Sequence, residues 1–111
     1  DASVKNLTGS EAKTKSQQMI NLMLPLEQKK EFTLKFKDEN DIFDQFIVSQ
    51  NLLNKKEKYV ISRLSAAVFS PQWLLFNHPK YGWIPNRTYA SGKWVGGYSD
   101  HLPVYMDIVF K

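Results

Sequence analysis

Few residues in this chain could do chemistry, and two of them are set apart by where they fall. Asp44 keeps the same parity as Phe46 and Val48, so period-two spacing puts a carboxylate on an otherwise apolar strand face. An ionised carboxylate is costly there unless a cation or hydrogen-bond donor meets it. His101, one of two histidines, stands at the entrance to the last apolar run in Ser99-Asp100-His101-Leu102-Pro103-Val104. If the strands that carry them are neighbours, the two side chains meet at one end of a sheet. An aspartate held against an imidazole fixes its tautomer and favours its charged form, as in histidines that act as general acid, base or charge stabiliser. The plainer alternative has Asp44 capping a turn and His101 as an ordinary strand-edge residue. Asp100 adds a second carboxylate after Gly96-Gly97. It suits Mg²⁺, which takes one or two carboxylates together with waters and substrate phosphate, and it suits a simple turn equally well.

The composition allows a scaffold for these groups. At 111 residues there is room for a single piece, 1–111, with a thin core. Hydrophobic residues at 42% and charged residues at 23% exclude a disordered chain. With no cysteine, a disulfide framework, a cysteine zinc site and a thiol nucleophile are excluded. The longest apolar runs, such as Trp73-Leu74-Leu75-Phe76, are four residues, too short for a membrane-spanning helix. The net charge of +4 is a weak pointer to an anionic partner.

The pattern predicts helix from Asp1 to about Gln18, broken at Gly9-Ser10, and Pro25 is expected to end any helix near Leu24. Phe32, Leu34 and Phe36 alternate with Thr33, Lys35 and Lys37, a strand with one wet face. Asp38-Glu39-Asn40-Asp41 reads as a turn. Further strands are expected over Ile42–Ser49, Tyr59–Phe69 and, with a fully apolar face, Leu102–Phe110.

Between the last two lies His78–Ser99, with four of the five glycines, two prolines and the aromatics Tyr81, Trp83, Tyr89, Trp94 and Tyr98. A structureless connection of this length is uncommon in a compact domain unless it has a function. Its aromatics either pin the loop to the body or line a pocket for a flat ligand. Arg87, Trp83 and Tyr89 are the candidates for substrate contact. Arg87, one of two arginines, suits bidentate phosphate binding, or else packs on the loop's rings.

Ser99-Asp100-His101-Leu102-Pro103-Val104 resembles the terminal Ser-Asp-His-x-Pro-Val motif of the endonuclease/exonuclease/phosphatase superfamily. Upstream, Phe43-Asp44-Gln45-Phe46-Ile47-Val48-Ser49 is similar to that superfamily's apolar-Asp-x-apolar-apolar-x-Ser strand. Gly82-Trp83-Ile84-Pro85-Asn86-Arg87-Thr88-Tyr89 followed by Gly96-Gly97-Tyr98-Ser99 resembles a bacterial branch of it. The resemblance implies an α/β (α+β) fold, here the C-terminal half of a four-layered α/β sandwich with a largely antiparallel sheet. It implies a hydrolase of phosphodiester or phosphomonoester bonds, DNase I-like, that uses Mg²⁺ or Mn²⁺. His101 would contact the scissile phosphate, Asp44 would orient His101, and Asp100 would sit in the metal region.

The superfamily's metal-binding Glu, its Asp-x-Asn element and a second catalytic His have no counterpart among these residues. Together with a first residue that is Asp rather than Met, this predicts a C-terminal portion that is inactive without its N-terminal half. The expected partners are a phosphate-ester substrate and either that missing half or a second copy docked on the exposed sheet. The resemblance also suggests an exported or periplasmic protein. A non-catalytic module that binds nucleic acid or sugar through residues 78–99 is the alternative, and dispersed lysines speak against it.

Overall fold

A computed structural model of the chain describes residues 19–111. The helices expected over Asp1–Gln18 lie outside the described residues. The described part is α+β, dominated by short antiparallel strands with few helical turns.

Strand β1 (Met19–Asn21) leads into a short helix, α1 (Leu24–Gln28). Pro25 opens this helix instead of ending one. In the first turn its missing N–H has no helical acceptor to lose, and its fixed φ suits the helix. Strands β2 (Leu34–Phe36) and β3 (Glu39–Asp41) form a hairpin whose turn is Lys37-Asp38, with Lys37 at φ 55. The acidic cluster expected as a turn is therefore mostly strand.

Strand β4 (Ile47–Ser49) pairs with β1, and residues 42–46 before it are irregular, so the expected strand keeps only its C-terminal end. A 3₁₀ turn over Gln50–Leu53 follows. The long strand expected over Tyr59–Phe69 is two, β5 (Tyr59–Ile61) and β6 (Ala67–Val68), separated by a turn in which Ser65 bonds back to the Ser62 carbonyl. A second 3₁₀ turn, Gln72–Leu74, delivers the chain into β7 (Leu75–His78).

Residues 78–99, expected as a structureless loop, are largely built of hairpins. β7 pairs with β8 (Gly82–Pro85), and β9 (Tyr89–Ala90) pairs with β10 (Lys93–Trp94). Residues 95–99 are then stitched to 86–88 by backbone bonds, among them Gly97 N–H to the Arg87 carbonyl at 2.9 Å and Ser99 N–H to the Asn86 carbonyl at 3.2 Å. Gly97 is required there, because a Cβ on it would lie 2.1 Å from the Asn86 carbonyl oxygen.

The terminal strand is also split. β11 (Val104–Tyr105) pairs with β6, and β12 (Ile108–Phe110) pairs with β5. Its apolar parity starts buried at Leu102 (2% exposed) and ends in water at Ile108 and Phe110 (60% and 61%). The core gathers Leu22, Met23, Leu26, Ile42, Val48, Ile61 and Ala66. Complete burial of such a side chain contributes about 1.5–3 kcal/mol.

Candidate active site

Asp44 stands two residues beyond Ile42, which at 1% exposure is one of the deepest anchors of the core. His101 stands one residue before Leu102, which is as deeply buried. Each reactive side chain is thus tied to the interior by a near neighbour while remaining partly exposed itself.

One residue joins the two segments. Thr33 is fully buried, and its Oγ1 accepts the backbone N–H of Phe43 at 2.9 Å and of Asp44 at 3.2 Å. Its carbonyl accepts the N–H of Leu102 at 2.7 Å. The alternation that set Thr33 on a wet strand face is overturned. Thr33 lies before β2 begins, and its hydroxyl meets backbone donors in the interior. The Ser99 hydroxyl adds a local brace by accepting the His101 N–H at 3.0 Å. Deeper on the Asp44 side, Asn21 Nδ2 donates to Gln45 Oε1 at 3.2 Å, and Gln45 Nε2 donates to the Ile42 carbonyl at 3.0 Å.

The result is direct contact between Asp44 Oδ2 and His101 Nδ1 at 2.7 Å, with the two side chains 36% and 35% exposed. The distance is that of a charge-assisted hydrogen bond. A carboxylate only accepts, so Nδ1 carries the proton and Nε2 is the nitrogen left for chemistry. Phe43 sets its ring edge-on to the imidazole, centroids 5.6 Å apart, and limits its rotation. The meeting does not arise from neighbouring strands, as expected. It occurs between irregular segments whose adjoining strands, β4 and β11, belong to different ladders.

The pair opens on a cleft of about 500 Å³ lined by Asp44, Ser99 and His101 on its polar side and by Phe69, Trp73, Tyr98 and Leu102 among its apolar residues. Trp73 was not singled out from sequence, where it read as part of an apolar run, whereas Tyr98 was one of the loop aromatics expected either to pin the loop or to line a pocket.

Arg87, Trp83 and Tyr89 do not line this cleft. Arg87 donates from Nη2 to the Lys35 carbonyl at 2.8 Å, tying the hairpin region to β2. Trp83 and Tyr89 are exposed on β8 and β9. Asp100 is exposed beside the pair. Among the described residues no group of three or more His, Asp or Glu side chains comes together to hold a metal. Mg²⁺ binds through hard oxygen donors in near-octahedral geometry, and a lone exposed carboxylate does not fit it.

An antiparallel α+β scaffold that presents a carboxylate-backed imidazole at the edge of a small cleft has the equipment of a hydrolase. The family model described as "Endonuclease/Exonuclease/phosphatase family" matches residues 1–109. The chain belongs to that family, a superfamily of phosphodiesterase-, phosphatase- and nuclease-type hydrolases that generally depend on a divalent metal. No curated protein and no solved structure matches it.

Proposed function

We propose that the Asp44–His101 pair is the proton-handling and phosphate-facing part of a phosphoester hydrolase site. The observation that carries this reading is the 2.7 Å contact between Asp44 Oδ2 and His101 Nδ1 at the edge of a cleft. His101 Nε2, free of the proton that Asp44 holds on Nδ1, takes a proton from an attacking water. The imidazolium so formed is stabilised by the carboxylate and stands beside the charge developing on phosphorus-bound oxygen. Asp44 acts through His101, as a positioning residue. Asp100 contributes a carboxylate to a divalent ion only together with donors from outside the described residues. On this reading the 111 residues turn over slowly or not at all unless those donors are supplied.

The test is turnover of a chromogenic phosphodiester and a phosphomonoester by the complete polypeptide with Mg²⁺ or Mn²⁺. His101→Ala is expected to lower kcat by about 10²–10⁴-fold. Equal turnover by wild type and variant removes the assignment. A binding-module reading draws on the exposed rings of Trp83, Tyr89 and Trp94. It predicts no metal-dependent turnover and instead nucleic-acid binding that collapses with added salt.

A further inference from the structure

The apolar wall of the cleft is built from rings in mutual contact. Trp73 meets Tyr98 edge to face, with centroids 5.4 Å apart and planes at 85°. Phe69 meets Trp73 in the same way at 6.1 Å and 77°. Mutual contact of this kind favours a fixed arrangement over three independent rings. Even so, Phe69, Trp73 and Tyr98 remain 38%, 59% and 71% exposed. Apolar surface left in water is unfavourable, and when gathered around a concavity beside reactive groups it marks a place to be covered.

Two further observations narrow what covers it. Among the described residues, no lysine or arginine lines the cleft. A polyanion held along this surface would need cations against its successive phosphates. Hydrogen-bonding side chains are also sparse. Among the described residues, the polar groups of the lining besides the Asp44–His101 pair are the Tyr98 hydroxyl, the Trp73 indole N–H and Ser99, whose hydroxyl accepts the His101 N–H. A sugar with many hydroxyls would leave most of them unpaired there. Perpendicular rings instead form a corner, offering one ring's face and another's edge to a flat guest.

We propose that this corner seats an uncharged flat ring, carried on the alcohol part of a small phosphate ester whose phosphate lies toward His101. The proposal rests on the phosphoester reading above and adds the substrate class to it. Trp73 and Tyr98 are then binding residues for the leaving-group side. The ring is a nucleobase or a simple aryl group, which share the chemistry the corner recognises.

The experiment is calorimetric titration of the full chain with adenosine 5′-monophosphate, phenyl phosphate, ribose 5-phosphate, adenosine and a single-stranded oligonucleotide. It is repeated with Trp73→Leu, Tyr98→Ala and, as a control outside the cleft, Trp94→Leu. All three replaced rings are largely exposed, and circular dichroism verifies folding. Either ring-bearing phosphate should bind about 10-fold or more tighter than ribose 5-phosphate. That margin should vanish in Trp73→Leu and Tyr98→Ala and persist in Trp94→Leu. A preference between adenosine monophosphate and phenyl phosphate identifies which ring is seated. Adenosine binding as tightly as its monophosphate, with the same dependence on Trp73, supports the ring seat and overturns the phosphoester reading. Equal binding of ribose 5-phosphate and the ring-bearing phosphates, no binding of either ring, or indifference to both substitutions overturns the proposal. So does an oligonucleotide that binds far more tightly than the monophosphate with a steep salt dependence.

Discussion

The chain's two histidines occupy turns of opposite construction. His78 closes the β7–β8 hairpin on itself: its Nδ1 accepts the N–H groups of Lys80 at 3.0 Å and Tyr81 at 3.2 Å, and its ring stacks on Tyr81 at 4.7 Å. Every one of those contacts lies within three residues. His101 turns its Nδ1 to a carboxylate 57 positions away. The same atom is therefore bare in one ring and protonated in the other. A histidine whose nitrogen is consumed by its own turn is a structural cap. One whose nitrogen is held by a distant acid has its other nitrogen set for a task.

The comparison can be broken at several points. Asp44→Asn keeps the shape of the pair and removes its charge. It is expected to lower turnover of the complete polypeptide by about 10²-fold or more while leaving denaturant stability nearly unchanged. Gly97→Ala forces a methyl onto the Asn86 carbonyl and displaces the segment that carries Ser99 and His101. A loss of about 3 kcal/mol in urea unfolding is expected, with activity falling in parallel. Thr33→Val preserves volume but strands the N–H groups of Phe43 and Asp44. About 1–3 kcal/mol of stability should be lost, and Thr33→Ser should recover most of it. His78→Asn is the mildest change, since an Asn side chain can cap the same turn. It should cost under about 1 kcal/mol and leave turnover untouched. Long-range ¹⁵N NMR sharpens the contrast directly: His101 should show a protonated Nδ1 and His78 a bare one.

How far the sequence revealed all this depends on the kind of signal. Asp44 and His101 were legible because a carboxylate among Phe46 and Val48 demands a partner, and the Ser99–Val104 motif offered one. The route by which they meet was not legible. Period-two alternation carried strands through residues 42–46 and 102–103, whereas the chain there breaks from the ladder to reach Thr33. Thr33 itself was hidden for the same reason, since alternation between Phe32 and Leu34 put its hydroxyl in water. The region 78–99 looked unstructured from its glycines and prolines. The chain there in fact folds into hairpins of strands two to four residues long, too short for any periodicity to register. Trp73 was masked because an aromatic in an apolar run looks the same whether it packs inside or faces a cleft.

Thr33 ties together the two segments that carry the pair, its hydroxyl holding the N–H of Asp44 and its carbonyl the N–H of Leu102, next to His101. The separation of acid and imidazole is consequently referenced to one rigid point and insulated from breathing of the flanking ladders. If β4 and β11 shift as sheets slide or a ligand enters, the two groups travel together like arms on a common yoke, and the Nδ1 proton stays directed at the carboxylate.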